Sequence, residues 1–178
     1  MRVITGKARG MTLRTLEGDN TRPTTEKVKE AVFSAIQFDI EGKRVLDLFA
    51  GSGQMGIEAL SRGAKEAVFV DKDKGAVSII KENLKKTKLD GFTSVIQSDA
   101  LSFLRMNVRV FDIVFLDPPY ASDLLMKSLE GVSDFVADGG TVICEHSYGD
   151  DMPEEINGIA KYRDYKYGKT AVTIYRKD

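Results

Sequence analysis

The residues Asp117-Pro118-Pro119-Tyr120 follow directly on the apolar run Ile113-Val114-Phe115-Leu116. A run of that length, broken by two prolines, predicts a buried strand that stops abruptly. Its end presents a carboxylate, two backbone carbonyls and an aromatic ring. In open α/β sheets ligands bind in the crevice outside the strand carboxyl ends, so these groups suit a flat ring bearing an amino group. The Asp117 carboxylate and the Pro118 carbonyl can accept the amino hydrogens, drawing the nitrogen towards tetrahedral geometry and aiming its lone pair outward. Pro119 stiffens the loop, and Tyr120 can stack on an extruded base. The plainer alternative is a strand-terminating turn.

A second constellation lies upstream. Val45-Leu46-Asp47-Leu48-Phe49 predicts a strand that runs into Ala50-Gly51-Ser52-Gly53, and Gly56-Ile57-Glu58-Ala59-Leu60 is helix-like. Gly51 and Gly53 let the backbone approach a ligand closely, with Phe49 and Ser52 beside them. Val68-Phe69-Val70-Asp71 is a further strand ending in an acid, followed by Lys72, and Asp71 can accept both hydroxyls of an adenosine ribose. Gly51, Gly53 and Gly56 reproduce the dinucleotide spacing, yet Asp47 would repel a pyrophosphate and attract an ammonium group. No Gly-Lys-Ser/Thr follows, so a phosphate loop is excluded. The charge favours S-adenosylmethionine. Asp99-Ala100, after the next strand, would lie near the adenine amino group, or Asp99 would simply cap a helix.

These residues need a scaffold, and the chain supplies one. Strands are read at 45–49, 67–71, 94–97, 113–116 and 141–145, with helices near 54–62, 74–87, 99–106 and 122–136. That alternation predicts right-handed βαβ crossovers and a mainly parallel sheet. Before it, Val28, Ala31, Val32, Ala35 and Ile36 form a helical stripe. After it, Tyr162–Tyr167 and Thr170–Tyr175 flank Gly168-Lys169 as a hairpin. Residues 2–16 read as a short hairpin or extended arm.

With 178 residues, 42% of them apolar and 30% charged, the chain fits one soluble domain with a small appendage. No apolar run approaches the roughly 20 residues of a membrane span, and the amino terminus lacks a signal sequence, so a cytoplasmic location is expected. Cys144 lies in a predicted strand and His146 follows it; neither has partners for a metal site, and none is expected. Residues 1–16 carry a net charge of +4, residues 161–178 again +4, and the middle −9. Basic ends around an acidic body suit a protein that holds a polyanion at one edge.

The motifs together resemble the RsmD family of bacterial 16S rRNA guanine-N2 methyltransferases. The resemblance rests on Arg2-Val3-Ile4-Thr5-Gly6-Lys7-Ala8-Arg9-Gly10, Arg22-Pro23-Thr24, Leu46–Gly53, Glu58–Ala64 and Asp117–Tyr120. Gln54-Met55 departs from the family pattern, where small residues and a Leu are more usual. The resemblance implies an α/β, Rossmann-like class I methyltransferase fold whose seven-stranded, mainly parallel sheet has an antiparallel last strand. An RNA-binding arm at 1–23 would precede a methyltransferase domain at 24–178. It implies S-adenosylmethionine as cofactor and 16S rRNA, the small ribosomal subunit or an assembly intermediate as partner; a monomer is expected. Arg2, Lys7, Arg9 and Arg14 would grip rRNA phosphates, while Arg22 and Thr24 would line the mouth of the pocket. An amino methylase of DNA adenine or protein glutamine, and a non-catalytic RNA-binding assembly factor, remain the alternatives.

Overall fold

The computed structural model describes residues 1–17, 26–120 and 123–178. The Arg22-Pro23-Thr24 motif and the boundary expected after residue 23 lie outside the described residues. The elements run α1 (Glu26–Ala35), β1 (Arg44–Asp47), α2 (Gln54–Ser61), β2 (Glu66–Asp71), α3 (Lys74–Thr87), β3 (Thr93–Gln97), α4 (Ala100–Met106) and β4 (Phe111–Leu116). They continue through α5 (Leu124–Val132), β5 (Val136–Ser147), β6 (Glu155–Ile156), β7 (Ile159–Tyr167) and β8 (Thr170–Lys177).

All eight strands form one sheet in the order β3-β2-β1-β4-β5-β8-β7-β6. β1 to β5 are mutually parallel, and the last strand, β8, is antiparallel to β5. The expectation of seven strands is corrected by β6, which pairs with the start of β7. The cause is Asn157-Gly158, where both residues adopt positive φ (47° and 83°) and close a tight hairpin turn. Asn-Gly is the strongest short-range hairpin signal in a sequence, and it was legible here.

Both faces of the sheet are covered, which explains the unbroken apolar runs of the central strands. Val45, Phe69, Ile113 and Phe115 point into a core completed by α1, α2, α3 and the amino-terminal arm. Leu46, Val68, Val114 and Leu116 point the other way, onto α4 and α5. Cys144 is sealed in this second core, and burial pushes its thiol pKa up. No helix among the described residues is long and apolar enough to cross a membrane.

Residues 1–17 fold back on themselves through one antiparallel bridge, Arg2 to Thr12. Val3, Ala8 and Leu13 are buried in the first core, so this arm packs as part of the domain. Near its tip, α2 satisfies part of its polar backbone. The fully buried Glu58 carboxylate accepts the amides of Ile4 (2.9 Å) and Thr5 (3.0 Å). Ser61 Oγ accepts from the Ala8 amide and donates to the Thr5 carbonyl. Gly6 has φ +92°, and a Cβ there would sit 1.9 Å from the Ser61 carbonyl oxygen, so only glycine allows this approach.

The helical stripe of α1 also turns out differently from the sequence reading. Ala31 and Ala35 are only half-buried, whereas Lys29 and Phe33 are fully enclosed. Lys29 is tolerated because its ammonium group donates to the Arg2 carbonyl (2.7 Å) and faces Glu58 (3.5 Å). Burial holds its pKa below the ordinary lysine value, with Glu58 opposing that shift. Removing one member of a buried ion pair strands the other. Glu58→Ala is therefore expected to cost about 3–5 kcal/mol of stability, read as a lowered urea midpoint. A loss below about 1 kcal/mol would show that Glu58 does not hold the arm.

Candidate active site

β1 and β4 are sheet neighbours, with Asp47 opposite Phe115. Outward from them the chain proceeds in opposite directions, β2 and β3 on one side and β5 on the other. At such a switch point the loops leaving two adjacent strands diverge and open a crevice. The glycine turn leaves β1 and Asp117-Pro118-Pro119-Tyr120 leaves β4. The two constellations that are far apart in sequence thus flank one crevice.

Steric limits shape the turn. Gly51 (φ +55°) and Gly53 (φ +80°) adopt left-handed conformations, and Gly53 precedes the first turn of α2. A Cβ on Gly56 would lie 2.3 Å from the Phe69 ring, so α2 can cross β2 this closely only with glycine there. The turn is closed by the Gly53 amide on the Ala50 carbonyl (2.7 Å) and the Ala50 amide on the Val70 carbonyl (3.0 Å).

The acids divide their work. Asp47 is 3% exposed, and its Oδ2 accepts the Gly56 amide at 3.0 Å. Asp71 is half-buried at the end of β2, accepting the Gly51 amide (2.8 Å) on one oxygen and the Asp73 amide (2.9 Å) on the other. Asp99 is exposed and caps α4 by accepting the Ser102 amide (2.9 Å), which holds its carboxyl below the usual range. Ala100 is buried beside it. Phe49 is half-buried against the second core, and Lys72 is exposed. The carbonyl of Ser52 accepts from Asn83 Nδ2 (2.9 Å).

Asn83 went unnoticed in the sequence, although it is 1% exposed and ties the turn to the arm. It donates to the carbonyls of both Ser52 and Arg14, and it accepts the Arg14 amide. No local pattern marks it, because all three contacts are distant in sequence. Gln54, noted only as a family departure, places a buried Oε1 at the start of α2 with no hydrogen-bond donor among the described residues. Residues 47–58 contain no Lys or Arg. Two carboxylates, an orphaned acceptor and close glycine backbone fit a small ligand carrying positive charge, such as S-adenosylmethionine, better than a pyrophosphate.

On the acceptor side Asp117 is half-buried, Pro118 buried, and Pro119 and Tyr120 exposed. The Tyr120 hydroxyl lies 3.0 Å from Thr170 Oγ1, linking this loop to the start of β8.

The basic arm is less uniform than its composition suggested. Arg2 pairs with Glu26 (3.4 Å) and Arg14 with Glu82 (2.7 Å). Lys7 and Arg9 are exposed, but the arm tip lies against Ser61, the last residue of α2. The glycine turn enters α2 at its other end, about 12 Å away for an eight-residue helix. Arg22 and Thr24 fall outside the described residues. His146 is 5% exposed, with its ring nitrogens on Thr173 Oγ1 (2.8 Å) and the Ser147 carbonyl (2.9 Å).

The fold and the switch-point site define a Rossmann-like methyltransferase. A solved structure described as a putative methyltransferase, yhhF, from Escherichia coli superposes with a TM-score of 0.91 at 32% identity, covering 100% of this chain and 98% of that one. The family model described as Conserved hypothetical protein 95 matches residues 1–176, and the chain belongs to that family, the RsmD-type methyltransferases. It is 40% identical to the putative rRNA methyltransferase YlbH of Bacillus subtilis over 99% of both chains. It is 32% identical to ribosomal RNA small subunit methyltransferase D of Escherichia coli K12, covering 100% of this chain and 90% of that one.

Burial raises the pKa of Asp47 to about 7; the Gly56 amide opposes the shift and Asp71 adds to it. The neutral form is thus favoured in the fold: its contribution is full below about pH 4 and is lost as pH rises through 7. Asp47→Asn, a permanently neutral stand-in, should stabilise the protein more at pH 8 than at pH 5, by at most about 3 kcal/mol. Melting curves at both pH values check this; an equal effect at each would contradict it.

Proposed function

We propose that this chain transfers a methyl group from S-adenosylmethionine to the exocyclic N2 of a guanine in small-subunit rRNA. The observation that carries the reading is the placement of Asp117 and the Asp47–Gly53 turn on adjacent strands at the switch point. Family membership and relatives named as rRNA methyltransferases support the substrate class.

Asp71 and the glycine turn would hold the adenosine portion, and Asp47, with the orphaned Gln54 Oε1, would favour the cationic end. Asp99 and Ala100 at the start of α4 would border the adenine. The bound cofactor supplies an electrophilic methyl group on a sulfonium sulfur. Asp117 and the Pro118 carbonyl would accept the two amino hydrogens, so that the nitrogen lone pair turns towards the cofactor pocket. Once methylated, the nitrogen would be cationic, and Asp117 or water would take its proton. Catalysis on this account is positioning and electrostatics, with no covalent enzyme intermediate. Tyr120, anchored by Thr170, would cover the base.

Tritiated methyl transfer to small ribosomal subunits that lack the modification, followed by nucleoside analysis, should yield N2-methylguanosine. N6-methyladenosine would place the chain among amino methylases of another substrate. Asp117→Ala should lower kcat by on the order of 10²-fold while cofactor affinity stays within about twofold. Near-normal turnover in that variant would overturn the mechanism.

A further inference from the structure

Resting on that reading, we infer that Tyr148, Lys166 and Lys169 form a platform for a single-stranded nucleotide adjoining the target base. Among the described residues of the arm, Arg2 and Arg14 are paired with acids and the tip lies at the far end of α2. The carboxyl-terminal hairpin lies on the correct side. β4 and β5 run parallel with Leu116 opposite Cys144, so Tyr120 and Tyr148 each follow that pair by four residues and emerge at the same end of the sheet. The β7–β8 turn closes against them: Ser147 pairs with Thr170, and the Tyr148 amide donates to the Lys169 carbonyl (2.8 Å).

These groups surround an open depression of about 340 Å3 lined by Tyr120, Ser147, Tyr148, Gly168 and Lys169. Tyr148 is 57% exposed, unlike Tyr165 and Tyr167, which stack on each other and pack on the core. Lys166 Nζ sits 3.9 Å from the Tyr148 ring centroid, so the ring carries a cation, while Tyr148 itself lines the depression and Lys166 does not. Asp150, two residues on, directs its carboxylate back to the Ser147 amide (3.1 Å) and towards His146 Nδ1 (3.9 Å). An exposed ring with two flanking cations beside a base-accepting loop matches the stacking and phosphate contacts of single-stranded nucleic acid. It reads no sequence. It would hold the strand so that the target base enters above Tyr120.

The test uses the full chain and a fluorescent RNA oligonucleotide containing the target guanine, with 2-aminopurine at the adjoining position. Tyr148→Ala should weaken RNA binding about tenfold and abolish the 2-aminopurine quenching, and Tyr148→Phe should restore both. Replacing Lys166 and Lys169 together by Ala should reduce the logarithmic salt slope by about 1.4, two phosphates at roughly 0.7 each. In parallel, methyl transfer should show raised KM with little change in kcat. Unchanged binding and quenching in Tyr148→Ala, with the wild type active, would overturn the platform. Loss of binding in Tyr148→Ala together with no N2-methylguanosine from the wild type would support the platform and overturn the guanine reading instead.

Discussion

Glu58 is a fully buried anion that a domain interior tolerates only when donors surround it, and here they come from three directions. The amides of Ile4 and Thr5 arrive from the arm, Lys29 from α1, and Arg62 from just past the end of α2 at 3.0 Å. Arg62 in turn lies 4.9 Å from the Phe33 ring, so the charged cluster is continuous with the apolar core. α2 begins at the glycine turn, and whatever fixes its far end fixes the entry angle of that turn. A charge network remote from the crevice thereby orients the glycine turn.

Asn83 makes the same connection nearer the site. It joins the Ser52 carbonyl to the backbone of Arg14, so the turn and the returning limb of the arm share one side chain of α3. The arm is thus part of the frame around the site, with an electrostatic surface reduced by its own ion pairs. On the opposite flank the Tyr120 to Thr170 contact couples the acceptor loop to the β7–β8 hairpin. The crevice is braced from both sides by elements that do not belong to the βαβ core. Polar contacts of high sequence separation supply the bracing, while the core itself is held by apolar burial on two faces of a parallel sheet.

The strand and helix order, the crossover topology and the reversed last strand were all legible, because buried parallel strands and amphipathic helices leave different periods in the chain. The turn glycines and the strand-end acids were legible for a related reason: they answer to local constraints of backbone angle and strand termination. The Asn157-Gly158 turn is equally local, so the extra strand β6 is also written in the sequence. Lys29 illustrates the opposite case. Its spacing on α1 matches the buried stripe, but a lysine declares itself buried only when its carboxylate partner is known, and Glu58 lies on another helix.

By itself the sequence determined the fold class, the two constellations and the kind of chemistry they suit, since each is a short run of residue types whose meaning is local. Tertiary structure decided which residues share an environment. It set Asp47 across from Phe115, gave Glu58 and Ser61 to the arm, turned Arg2 and Arg14 onto acids, and brought Tyr148 beside Tyr120 and Lys166. Pairings of that kind depend on strand order and helix crossing, and these follow from closing the whole core at once. No window of sequence contains them.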